Sequence, residues 1–232
     1  MPYRAFLLLL FAMNAFSQPF PVSERSREVT VRMVEALKSE FAMSGLAWGS
    51  PVFIRIFKVP KRLEMWIKDG KRFTLFKNYP MCHFSVQLGP KTKEGDLQAP
   101  EGFYEVSPAQ MNPNSDYHLS FNLGYPNAFD RAQNYTGSYL MVHGKCVSVG
   151  CYAMTDAYIE EIYTLVQTAF EFGQKSVAVH AFPFEMTTQN LANYTTHPSV
   201  DFWTNLSDGY RLFEKNAFPP RVNVKRKKYV FK

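Results

Sequence analysis

The sequence predicts an α+β fold that is mainly β. From residue 51 onward, short segments alternate apolar and polar residues, and turns rich in Gly, Pro, Asn and Asp separate them. Three longer segments carry apolar residues at helical spacing instead. The aromatic load, 21 Phe and 13 Tyr in 232 residues, favours strands and excludes wholesale disorder. Three cysteines are too few for a disulfide-scaffold miniprotein.

Residues 1–17, MPYRAFLLLLFAMNAFS, have the order of a secretory signal: Arg4, an apolar run from Ala5 to Met13, then small Ala15 and Ser17 at the −3 and −1 positions. The run is too short to span a bilayer, which takes about 20 apolar residues. Its removal takes one arginine and no acid, lowering the formal charge from +6 to +5. That modest excess suits a polyanionic surface such as cell wall or lipid headgroups. No nucleic-acid-binding motif accompanies it, so nucleic acid is not an expected partner. The expected location is therefore outside the cytoplasm.

Residues 18–48 form an N-terminal region whose helix runs over 24–44, with Val29, Met33, Val34, Leu37 and Phe41 on one face, Ser23 as N-cap and Gly45 as stop. PVFIRIFK and RLEMWIKD alternate as strands, and Asp69-Gly70 is a hairpin signal leading into KRFTLFKN. MCHFSVQL, GFYEVSP, YHLSFNL and YLMVHG continue the strand series. A helix is predicted over 156–172, capped by Asp156 and ended by Gly173, followed by a strand SVAVHAF at 176–182. Residues 183–232 form a C-terminal extension with a helix over 199–216 and a basic strand pair, RVNVKRKKYVF. Lys225, Arg226, Lys227 and Lys228 fall at its turn, where solvation is the expected role.

The chemistry concentrates in YLMVHGKCVSVGCYAMTD, residues 139–156. His143 and Cys151 bracket one loop, and a cysteine becomes a nucleophile when a base takes its proton or nearby dipoles stabilise the thiolate. Gly150 lets the backbone approach a carbonyl, so the amides at Gly150 and Cys151 are candidates for an oxyanion hole. A helix starting just beyond Cys151 would lower its pKa. Three other readings stand beside this one: ordinary core residues, a zinc site of His143, Cys146 and Cys151, and a Cys146–Cys151 disulfide. The zinc set lacks a fourth ligand at usual spacing. With Cys151 as nucleophile, the remaining two cysteines leave Cys82–Cys146 as the pair.

Tyr117 and His118, expected on a strand, join Arg131 and Ser148 as candidate substrate contacts; an arginine can hold a carboxylate with two parallel hydrogen bonds. His83, His180 and His197 have no motif around them and read as structural. Asn134, Asn193 and Asn205 sit in N-x-Ser/Thr patterns, which matter only in a eukaryotic secretory context.

HG followed by SxGC after a strand resembles the catalytic motif of the L,D-transpeptidase (YkuD-domain) cysteine enzymes. GSPVFIRIFK with RLEMWIKDG, LGPKTKEGDLQAPEGFYEV, and YHLSFNLGYPNAFDRAQNYTGSYLMVHG agree with it in family order, so the resemblance covers residues 49–182. LGPKTKEGDLQAPEGFY, YPNAFDRA and HGKCVSVGCYAMTD look closest to the YafK-like periplasmic branch, known for detaching the major outer-membrane lipoprotein from peptidoglycan. The resemblance implies a β-sandwich catalytic core, Cys151 as nucleophile, His143 as base and the Gly144 carbonyl orienting the imidazole. It implies a thioester at diaminopimelate of a stem peptide, with water or an amine as acceptor, and no metal or organic cofactor; a monomer is expected.

The sequence departs from the family pattern at two places. Val149 stands where many members carry His, and Tyr152, Ala153 and Met154 follow Cys151 where many carry Arg or Asn. These departures point to hydrolytic release of a peptidoglycan-linked lipoprotein. The rivals are a true transpeptidase and a non-catalytic wall-binding module. A papain-like hydrolase is disfavoured, because there the Cys precedes the His.

Overall fold

The computed structural model describes residues 20–84 and 87–232; the expected export signal at 1–17 lies outside them. In chain order the elements are α1 (Glu24–Met43), β1 (Val52–Phe57), β2 (Arg62–Asp69), β3 (Arg72–Pro80), β4 (Gly102–Val106), β5 (Met111–Asn112), β6 (Ser120–Asn122), α2 (Ala128–Ala132), β7 (Met141–His143), β8 (Tyr152–Ala153), α3 (Asp156–Glu171), β9 (Val177–Phe182), α4 (Thr188–Ala192), α5 (Val200–Asn216), β10 (Val222–Lys225) and β11 (Lys228–Phe231). The fold is α+β and mainly β. A five-stranded sheet of order β3-β2-β1-β9-β4 and a four-stranded sheet of order β5-β6-β7-β8 share one core.

β1 explains the layering. Alternate residues of a strand point to opposite faces, and every residue of β1 is buried. Val52, Ile54 and Ile56 join the core that also holds Phe121, Val142 and Tyr152 of the second sheet and Ile159, Ile162 and Val166 of α3. Phe53 and Phe57 point the other way, toward Phe213 and Tyr210 of α5. The C-terminal extension therefore covers the face of the large sheet opposite the second sheet. Arg55 shares that face and is buried there, neutralised by Glu64 at 2.7 Å and by Glu214, with its guanidinium 4.7 Å from the rings of Trp66 and Phe213.

Local signals set the element ends. Ser23 caps α1, accepting from the Ser26 amide. Gly45 at φ +68 ends it, with Leu46 N–H bonded to the Phe41 carbonyl and Gly45 N–H to that of Ala42. The β2–β3 pairing joins Asp69 to Arg72, so Gly70, at φ +56, and Lys71 make the turn, one residue later than the Asp-Gly signal suggests. Thr155, not Asp156, caps α3, because its hydroxyl accepts from the Tyr158 amide. Among the described residues of MCHFSVQL there is no strand, only a bridge between His83 and Ala153; the segment is tied down beside β8 by a Cys82–Cys146 disulfide. His180 is buried, and burial, then the Arg55 charge, lowers its pKa to about 3, so it stays neutral. Among the described residues no helix is long and apolar enough to cross a membrane.

Candidate active site

Strand register brings the two reactive side chains together. β7 and β8 run parallel with Val142 beside Tyr152 and His143 beside Ala153. Extending that register back by one residue sets Cys151 beside Met141. Met141 and His143 share a face by period-two alternation, as do Cys151 and Ala153, so Cys151 and His143 emerge on the same side. Both line one cavity of about 360 Å³.

The loop between them is held from several sides. Lys145 and Cys146 adopt left-handed backbone at φ +63 and +50. Cys146 is joined to Cys82, while its N–H donates to the Met154 carbonyl at 3.0 Å. The disulfide removes Cys146 from the zinc set considered above and leaves Cys151 as the free thiol. Gly150 has φ +99, and a Cβ there would sit 3.1 Å from the Gln98 carbonyl oxygen, so conformation and space both demand glycine. The Cys151 N–H donates to Ser148 Oγ at 2.7 Å, and that hydroxyl donates to the Cys151 carbonyl at 2.8 Å. The Cys151 amide is thus engaged by Ser148 rather than open to a substrate. Among the described residues the Gly150 amide has no acceptor and remains the available donor.

His143 is buried at the end of β7. Its Nδ1 lies 2.7 Å from the Gly144 carbonyl, which can only accept, so the proton is on Nδ1 and Nε2 carries the free lone pair. The imidazole rests on Tyr117, with ring centroids 4.7 Å apart and tilted by 47°. Gly144 permits this closeness: a Cβ there would meet Asp156 Oδ1 at 2.6 Å and the Tyr117 carbonyl at 3.0 Å. Asp156, no longer a cap, accepts from the Lys145 amide at 2.7 Å and steadies the same loop.

Burial pushes the Cys151 thiol above its ordinary value of 9.0, outweighing a backbone hydrogen bond at Met141 and the Lys91 charge. The α3 N-cap is Thr155, four residues beyond Cys151, and an acid, Asp156, occupies the first turn of that helix. Burial likewise pushes His143 below 6.5, against the opposing Gly144 hydrogen bond. The resting pair at neutral pH is therefore thiol and neutral imidazole. Iodoacetamide alkylation of Cys151 is accordingly expected to rise about tenfold per pH unit from 7 to 9 without levelling. A plateau below pH 7 in the rate profile would show a resting thiolate–imidazolium pair instead.

The other candidate residues divide. Tyr117 and Ser148 line the cavity. His118 does not; it sits at φ +69 in the turn before β6, which rules out the expected strand conformation, and its Nε2 lies 2.8 Å from Glu160. Arg131 lies in α2, exposed and outside the cavity lining, and bonds the Pro126 carbonyl. Sequence reasoning missed Tyr139, Val147 and Val149, which stand around the opening 74%, 55% and 77% exposed. Large apolar side chains left that open beside a free thiol were the available signal.

The YkuD family, described as the L,D-transpeptidase catalytic domain, matches residues 52–213 and so continues through most of α5. A protein of Escherichia coli K12 named "Putative L,D-transpeptidase YafK" is 47% identical over 182 residues, covering 78% of this chain and 74% of that protein. Among solved structures, the helical cell shape determining protein Pgp2 from Campylobacter jejuni aligns with a TM-score of 0.47 at 17% identity, covering 77% of this chain and 74% of that one. L,D-transpeptidase 1 of Mycobacterium tuberculosis aligns with a TM-score of 0.31 at 11% identity, covering 57% and 62%. With residues 52–213 matched by the family and 47% identity over the 182 residues aligned with that relative, the chain belongs to the L,D-transpeptidase catalytic-domain (YkuD) family.

Proposed function

We propose that the protein is an exported cysteine enzyme of the bacterial periplasm that hydrolyses the amide joining a lipoprotein to diaminopimelate of peptidoglycan. The observation that carries this reading is the single free thiol facing the same cavity as an imidazole whose Nδ1 proton is fixed by a carbonyl. Relatedness to a periplasmic-type enzyme family supplies peptidoglycan as the substrate class.

In the first half-reaction Cys151 Sγ attacks the diaminopimelate carbonyl while His143 Nε2 takes the thiol proton. The carbonyl oxygen gathers negative charge, and the Gly150 amide donates to it. Collapse breaks the carbon–nitrogen bond, and His143 returns the proton to the departing lipoprotein amine. The stem peptide is now a thioester on Cys151. Water then adds to the thioester with His143 as base, releasing a carboxylate and the thiol. An amine in place of water would give transpeptidation from the same intermediate. Water is favoured because Tyr152, Ala153 and Met154, which stand where many family members carry Arg or Asn, are buried and offer no charged or amide side chain to hold a peptide acceptor.

The test is muropeptide analysis of lipoprotein-bearing sacculi treated with wild type or Cys151→Ala. Free lipoprotein and loss of lipoprotein-marked muropeptides with wild type alone are expected. New diaminopimelate–diaminopimelate dimers would instead assign transpeptidation, and no change with either protein would favour a binding module.

A further inference from the structure

The cavity around Cys151 has walls of unequal character. Tyr117, Tyr139, Val147 and Val149 present open apolar surface; among the described residues Asp116 is the one acidic residue in the lining, and no lysine or arginine contributes. The Asp116 carboxylate is exposed and makes no hydrogen bond or ion pair among the described residues. In a chain with an excess of basic residues, the formal charge that the described lining residues offer to a ligand is negative. A substrate carboxylate would find no cationic partner, whereas an ammonium would find one.

The turn that carries Asp116 is fixed by groups far away in sequence. Ser23 Oγ donates to the Pro113 carbonyl at 3.0 Å. Arg25 Nη1 reaches the carbonyls of Ser115 at 3.0 Å and His118 at 2.6 Å. The Tyr117 amide donates to Ser115 Oγ at 3.1 Å, and the Tyr117 carbonyl accepts from Gly144 N–H at 3.0 Å. Glu160 holds His118 at 2.8 Å and is itself held by Arg32 at 2.6 Å. Ser23, Arg25 and Arg32 all precede residue 52, where the family match begins. A free carboxylate on a turn this constrained loses little freedom when it takes a partner, which is the condition for useful selectivity.

Resting on the reading of the site given above, we propose that Asp116 is a specificity-determining residue that selects substrates carrying an ammonium group beside the scissile amide. Two parts of the substrate can supply it: the side-chain ammonium of diaminopimelate, or a basic side chain on the departing peptide. Synthetic stem peptides with an amide-linked neutral leaving peptide separate them. One set replaces diaminopimelate with 2-aminopimelate, which lacks the side-chain ammonium; the other adds a lysine to the leaving peptide.

For wild type, the ammonium-bearing member of one pair is expected to have a kcat/KM about ten- to a hundredfold higher, the size of one charge-assisted hydrogen bond. Asp116→Asn is expected to bring that ratio near one, and Asp116→Glu to restore part of it. No discrimination by wild type in either pair, or an equal loss on all peptides in Asp116→Asn, would overturn the inference. Protection of Cys151 from iodoacetamide by the same peptides measures recognition apart from turnover. Protection requiring both ammonium and Asp116, without cleavage, would sink the hydrolase reading and keep this one. Cleavage of every peptide without preference would do the reverse.

Discussion

Cys151→Ala is expected to abolish amide cleavage, and His143→Gln to lower kcat by about a hundred- to ten-thousandfold, the usual worth of a positioned acid–base group. The two losses differ in kind. Without the thiol no acyl intermediate can form, so mass spectrometry of trapped protein should show no substrate adduct. Without the imidazole the thiol remains but its raised pKa leaves little thiolate at neutral pH. His143→Gln should therefore recover part of its loss as pH rises toward and beyond 9, while Cys151→Ala should not recover at any pH. Amine release measured from pH 6 to 10 on both variants decides this. Residual activity above a tenth of wild type in Cys151→Ala would remove that residue from the reaction.

Glu101→Gln should produce the largest loss of stability. Lys58 and Glu101 are both fully buried and 2.9 Å apart. Glu101 also accepts from the Gly89 amide at 2.9 Å and from Trp203 Nε1 at 2.7 Å, while Lys58 donates to the Gly89 carbonyl at 2.8 Å. The cluster joins the strand ends of the large sheet to α5. Removing one charge leaves the other enclosed without a counterion, which costs about 3–5 kcal/mol, or roughly 6–20 °C in melting temperature for a chain of this size. The double variant Lys58→Met with Glu101→Gln should regain more than half of that, since the stranded cation is gone and Gln still accepts a hydrogen bond.

The pH dependence of the single variant follows from linkage. Burial already lowers the Lys58 pKa from 10.5, against the pull of Glu101, and loss of Glu101 lowers it further. Between the folded and unfolded values the unfolded chain binds the extra proton, so stability rises with pH across that window. Thermal melts between pH 7 and 10 should thus show the Glu101→Gln deficit narrowing as pH rises. A deficit that stays constant would mean that Lys58 is not the stranded charge.

Much of this architecture could be read locally. The apolar spacing of Leu37 and Phe41, of Ile159, Ile162 and Val166, and of Trp203, Leu206 and Phe213 follows helical geometry, and all these residues are buried. The alternation in RLEMWIKD likewise follows a strand. What stayed hidden was pairing between distant segments. Parallel β1 and β9 leave no mark in either segment, so the double-sided burial of β1 was not foreseeable. MCHFSVQL alternates well enough for a strand, yet among its described residues only a single bridge forms, from His83 to Ala153 of a two-residue strand beside the disulfide. His143, Gly144 and Cys151 stood out because their motif is contiguous. Arg25 and Asp116 did not, because one acts across the fold and the other stands out only by the absence of basic residues around it.

The state in which Cys151 waits bears on its survival. A disulfide such as Cys82–Cys146 belongs to surroundings that oxidise thiols, and the species most open to sulfenic acid formation is the thiolate. The burial that raises the Cys151 pKa lowers the thiolate fraction open to peroxide and to mixed-disulfide capture. The nucleophile thus rests in its less oxidisable form, and the burial that delays its chemistry also slows its loss.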